Sequence, residues 1–129
     1  MARLLALDVG SRRVGLAITD DSKLISQPMP YTVDPSELSR TIKELTNDYE
    51  IEKIVVGLPK TMAGKESKQT EAVRNLINHL DLSVPFEFFD ERLTTRQAEG
   101  LARLGSTLPI DSLAAQQLLE QYLKLQSGK

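Results

Sequence analysis

The chain has 129 residues, a length that suits a single domain spanning residues 1–129 and burying roughly two thirds of its unfolded surface. It has no cysteine and one histidine, which excludes disulfides, thiolate metal sites and a His-rich zinc centre. Its formal net charge of −2 argues against a generally basic nucleic-acid-binding surface, and no apolar run approaches membrane-spanning length, so a soluble cytoplasmic protein is expected.

Residues 3–8 form an apolar run that ends in Asp8. A glycine-containing turn follows, and Val14, Leu16 and Ile18 then alternate over residues 14–20, which predicts strand, tight turn and antiparallel strand. Gly10 and Gly15 admit close approach of a phosphate or a metal-bound ligand to the main chain. Asp8 stands where a buried strand meets solvent, suited to a hard cation; the alternative is an acid that caps the turn amides. Residues 24–33 place Ile25, Met29, Tyr31 and Val33 in alternation, with Pro28 and Pro30 confining that third strand to a sheet edge.

Asp34-Pro35-Ser36-Glu37 reads as a helix start with Asp34 as N-cap and Glu37 closing a capping box. Leu38, Ile42, Leu45 and Tyr49 follow at helical spacing. Ile54–Leu58 is a continuous apolar run typical of a buried parallel strand, ended by Pro59. A polar loop over 60–66 carries Lys60, Gly64 and Lys65, and a second helix spans 67–81 with His79 off its apolar stripe. Pro85–Phe89 is the fifth strand and leads into Asp90, Glu91 and Arg92. A helix begins at Thr94 and ends near Gly105, and a last helix runs from about Asp111 to Leu125. The order βββαβαβαα predicts an α/β fold. Its five-stranded mixed sheet combines a three-strand antiparallel meander with two parallel strands, with helices on both faces.

Ligands in open α/β sheets sit at the carboxyl ends of the parallel strands. Asp8 and the pair Asp90 and Glu91 reach that edge, and Asp111 joins them unless it is only a helix cap. Asp90 and Glu91 point to opposite faces, and alternation alone does not choose between them. With strands about 4.8 Å apart, the fifth lies roughly 10 Å from the first if the fourth separates them. Convergence of Asp8, one strand-five acid and Asp111 makes an all-oxygen site suited to Mg²⁺ or Mn²⁺. Two such ions, about 4 Å apart, would suffice for phosphodiester hydrolysis without a histidine base. Arg12, Arg13, Lys60, Lys65, Arg92 and Arg96 surround the same edge and could hold neighbouring phosphates.

Four blocks, Leu7–Ala17, Val56–Pro59 with Gly64, Asp90–Thr95, and Ile110–Ala115 with Leu119 and Tyr122-Leu123, together resemble the YqgF/RuvX family. That family comprises pre-16S ribosomal RNA nucleases and Holliday-junction-resolvase-like proteins. The resemblance implies a ribonuclease-H-like fold and a metal-binding acidic site at Asp8, Glu91 and Asp111. Nucleic-acid or phosphate contacts are expected from Gly10, Ser11, Arg12, Arg13, Lys60, Lys65, Arg92, Thr95 and Arg96. The resemblance also implies Mg²⁺- or Mn²⁺-dependent hydrolysis of nucleic acid, with maturation of the 5′ end of pre-16S rRNA as the role. The alternatives are a junction resolvase acting on branched DNA, which would have to be a homodimer rather than a monomer, and a non-catalytic RNA-binding module. A D-x-G turn is also similar to the first phosphate loop of actin-like ATPases, but those need a second lobe. Leu104–Ile110 departs from the family pattern, being short and uncharged where many members carry a Lys/Arg-rich segment.

Overall fold

The computed structural model describes residues 3–10, 12–59, 68–91 and 109–127, with backbone alone at positions 59, 90, 91 and 127. Five strands make one sheet: β1 (Arg3–Val9), β2 (Val14–Thr19), β3 (Ser26–Pro28), β4 (Ile51–Pro59) and β5 (Phe86–Glu91), in the order β3-β2-β1-β4-β5. β1 pairs antiparallel with β2, and β2 with β3; β1 with β4 and β4 with β5 are parallel. The predicted mixed sheet is present, β4 separates β1 from β5, and the proline-bearing strand lies at an edge.

Among the described residues three α-helices cover the sheet: α1 (Leu38–Tyr49), α2 (Lys68–His79) and α3 (Ile110–Ser127). The helix expected over 94–105 lies outside the described residues. Strand alternation divides the core in two. Leu5, Leu7, Val9, Ile54, Val56 and Leu58 pack with Ile42, Leu45, Val73 and Ile77 of α1 and α2. Leu4, Ala6, Ala17 and Val55 pack with Ala115, Leu118, Leu119 and Tyr122 of α3. Both faces of β1 and β4 are therefore covered, which is why those strands read as continuous apolar runs.

Three local expectations need correction. The third strand is three residues long, and its alternation is broken: Ser26 is buried while Ile25 and Tyr31 are exposed, although Met29 and Val33 are buried as the pattern predicts. The Asp20 carboxylate sets the phase at its start. It accepts from the Leu24 and Ile25 amides at 3.1 and 3.2 Å and from the Ser22 hydroxyl at 2.6 Å, turning Ile25 outward. Beyond Pro28 pairing continues only as Met29 N–H to Leu16 and a bridge between Val14 and Val33, since proline has no N–H to donate. Asp34 does cap the first helical turn through the Ser36 amide at 2.9 Å, but the Glu37 carboxylate meets Arg40 at 2.7 Å rather than closing a box. Tyr49 is exposed, its ring beneath the Arg3 guanidinium at 5.6 Å, rather than in the core.

Candidate active site at the carboxyl edge of the sheet

Asp8 is the penultimate residue of β1, on the sheet face that α3 covers, and its register partner on β2 is Gly15. Gly15 is where α3 touches down. A Cβ at residue 15 would collide with the Asp111 carbonyl group and stand 2.7 Å from the Ser112 amide nitrogen. Neither Gly15 nor Gly10 needs a left-handed backbone. The space that Gly15 leaves is filled by the chain's own helix, not kept open for a phosphate. Gly10 closes the β1–β2 turn by donating its N–H to the Arg13 carbonyl at 2.8 Å, which commits that amide to the turn.

Asp111 is a first-turn residue of α3, not its cap. The helical hydrogen-bond pattern already runs from the Leu113 N–H to the Pro109 carbonyl at 3.0 Å. The helix start is pinned from below by Ser112. Its buried hydroxyl donates to the Tyr31 carbonyl at 3.1 Å. Further along, Gln116 donates to the Ser26 carbonyl at 3.1 Å, tying α3 to the edge strand. A buried hydroxyl or amide with no partner is costly, so these bonds fix where α3 begins relative to β1 and β2.

A shallow pocket of about 350 Å³ opens between these elements, lined by Asp8, Val9, Gly10, Arg12, Arg13, Gln69 and Asp111. The Arg13 guanidinium lies 3.9 Å from the Asp111 carboxylate, and its side chain is largely exposed. Two of the three expected acids thus share a pocket with two of the expected cations. Gln69 was not among the residues singled out by sequence. It follows the polar loop at the carboxyl end of β4, where the rule that picked Lys60 and Lys65 applies equally.

The third acid is located by register. Leu7, Val56 and Phe88 are level across β1, β4 and β5, so Glu91, paired with Pro59, stands two residues beyond the level of Asp8. Phe89 packs toward α3 and Glu87 bonds to it, and position 91 is next in that alternating series. Among the described residues, whose side chains exclude that of Glu91, no group of three potential metal ligands forms. Ser11, Lys60, Lys65, Arg92, Thr95 and Arg96 lie outside the described residues. His79 is exposed and its Nδ1 lies 2.6 Å from the Asn75 carbonyl, a surface role as expected.

A family model described as RuvX, Holliday junction resolvase, matches residues 2–125. A protein of Caldanaerobacter subterraneus named "Putative pre-16S rRNA nuclease" is 40% identical over 137 residues, covering 98% of this chain and 99% of its own length. One of the same name from Sulfurihydrogenibium is 35% identical over 131 residues, covering 95% and 90%. Among solved structures, T. thermophilus RuvC in complex with a Holliday junction superposes with a TM-score of 0.61. It does so at 12% identity over 98% of this chain and 96% of that one. The Fowlpox virus resolvase bound to junction DNA gives 0.58 at 11% identity over 96% and 98%. These two likenesses establish a shared resolvase-type, ribonuclease-H-like fold.

Proposed function

The chain belongs to the RuvX family, and from that premise we propose that it is a metal-dependent nuclease that hydrolyses phosphodiester bonds at the pocket holding Asp8 and Asp111. The observation that carries the proposal is the seating of the Asp111 backbone on Gly15, itself paired with Asp8, which delivers two acids from opposite ends of the chain to one pocket. Glu91 completes the set, and its place in the register, on the series that meets α3, supports this role.

A donor set of carboxylate oxygens without sulfur or imidazole fits a hard divalent cation, Mg²⁺ or Mn²⁺, held by Asp8, Asp111 and Glu91. When bound, such ions supply Lewis acidity toward a phosphodiester and activation of water. The chain's own groups do the rest. The β1–β2 turn holds Asp8 on a strand end that has little freedom to move, so the carboxylates are pre-positioned. Arg12 and Arg13 neutralise phosphates on either side of the scissile one, and the exposed amide of Gln69 bounds the far wall. The relatives' name points to the 5′ end of pre-16S rRNA as substrate. The description of the family model supports a second reading, cleavage of branched DNA, which calls for a dimer.

The test is cleavage by purified protein of an RNA spanning the 5′ boundary of 16S rRNA and, in parallel, of a four-way DNA junction, with Mg²⁺ or Mn²⁺. The expected result is RNA cleavage that Asp8→Asn abolishes. Cleavage by Asp8→Asn at the wild-type rate would overturn the assignment, and junction cleavage by a sedimenting dimer would favour the second reading.

A further inference from the structure

Beside the acid pocket lies a second cavity, of about 540 Å³, that shares Val9, Gly10 and Gln69 with it. Its remaining walls are Pro35, Ala72, Val73 and Leu76, with Lys68 at the rim. It belongs to the opposite sheet face, since Val9 and Val73 are part of the core under α1 and α2. The two hollows therefore meet over the end of β1, one polar and acidic, the other apolar.

Cations flank that shared wall on both sides, Arg12 and Arg13 by the acids and Lys68 by the apolar cavity. A polyanionic strand crossing the edge meets positive charge before and after the acids. What it can put into the apolar side is a base. The volume falls within the range of about 300–1,000 Å³ that accommodates small ligands, and aliphatic walls suit a planar, weakly polar ring. Among the described residues, the polar side chains at this cavity are the Gln69 amide and the Lys68 ammonium, too few to read a base edge in detail. A duplex keeps its bases paired and stacked inward, whereas a single strand can turn one out.

We propose that this cavity receives one unpaired base of a strand whose adjacent phosphate lies over Asp8 and Asp111, so that single-stranded segments are the preferred substrate class. The proposal rests on the nuclease reading above. Base identity matters little to it; presence of a base matters a great deal.

The experiment measures binding by fluorescence anisotropy, without divalent cation so that nothing is cut, for a short labelled single-stranded RNA. A series carries one abasic nucleotide at successive positions, and the same strand is measured in a duplex. Removing the base at one position is expected to weaken single-strand binding by about fivefold or more, the low end for loss of a base contact. Ala72→Phe fills the cavity from an exposed helix position and is expected to remove that sensitivity with an unchanged melting temperature. A flat abasic series, or sensitivity that survives in Ala72→Phe, overturns the proposal. If the series is flat while Asp8→Asn still abolishes cleavage, the base site falls and the nuclease reading stands. If neither RNA nor DNA is bound or cut, both fall.

Discussion

The Gly15 Cα and the Asp111 backbone are in direct contact, with no room between them for a methyl group. Because Gly15 is the register partner of Asp8, this packing contact acts with the Ser112 and Gln116 hydrogen bonds to set how closely α3 brings Asp111 to Asp8. Gly15→Ala is therefore expected to lift the first turn of α3. Overpacking of this kind costs about 1–3 kcal/mol. A urea titration should show that loss, and Mn²⁺ affinity should fall with it. An alanine at position 15 that left both unchanged would mean that Asp111 is not held by this contact.

Asp111→Asn separates the role of this carboxylate in the site from its role in the helix. Asp111 lies within the first turn and caps nothing, so the helix loses only a favourable charge near its N-terminus, about 0.3–1 kcal/mol. Cleavage is expected to fall at least 100-fold, as loss of a few kcal/mol of transition-state stabilisation requires. Thermal melting and cleavage rate measured on the same preparation check both halves. A large drop in melting temperature with preserved cleavage would reverse the two roles.

Much of this arrangement is legible in the residues. The apolar runs of β1 and β4 and the alternation in β2 specify the sheet, and the helix-period stripe from Ala114 to Tyr122 specifies α3 and its buried face. The phase at the start of β3 was not, because it is set by the Asp20 carboxylate gathering the Leu24 and Ile25 amides, a local hydrogen-bond choice that competes with hydropathy. Gly15 showed that something approaches the backbone there. That the visitor is α3, from almost a hundred residues away, needed the tertiary structure. Alternation alone does not choose between positions 90 and 91; the backbone of β5 runs through both and ends at Glu91, which places position 91 in the same alternating series as Glu87 and Phe89.

Arg13 sits 3.9 Å from Asp111 with an exposed side chain, a pair worth less than about 1 kcal/mol to the fold. Its effect belongs to the pocket instead. Arg13→Gln removes a cation that competes for the Asp111 carboxylate, so Mn²⁺ affinity measured by calorimetry is expected to rise. It also removes a phosphate partner, so RNA affinity should fall and its logarithmic salt slope should shrink by about one. Changes of the same sign in both affinities would show that Arg13 does not stand between the two ligands.

At the far end of α3, roughly 16 Å along the helix from Asp111 at 1.5 Å per residue, Tyr122 joins two strands. Its hydroxyl donates to Glu87 at 2.8 Å and accepts from Lys53 at 2.7 Å, and Lys53 reaches Glu87 at 2.5 Å. The hydrogen bond to Glu87, then that to Tyr122, raises the Lys53 pKa above its ordinary 10.5. A group whose pKa rises on folding contributes stability that is complete below the unfolded value and fades as pH climbs through the folded one. Lys53→Met is thus expected to be less stable than wild type by a constant margin from neutral pH to about 10.5, with the margin closing above it. Tyr122→Phe keeps the ion pair and loses one hydroxyl network, about 0.5–1.5 kcal/mol. Neither variant touches the acid pocket, so both should cleave at the wild-type rate under conditions where they are folded. Urea titrations across that pH range, with cleavage measured at neutral pH, decide it; a margin that persists undiminished well above pH 10.5 would show that the Lys53 charge does not hold α3 in place.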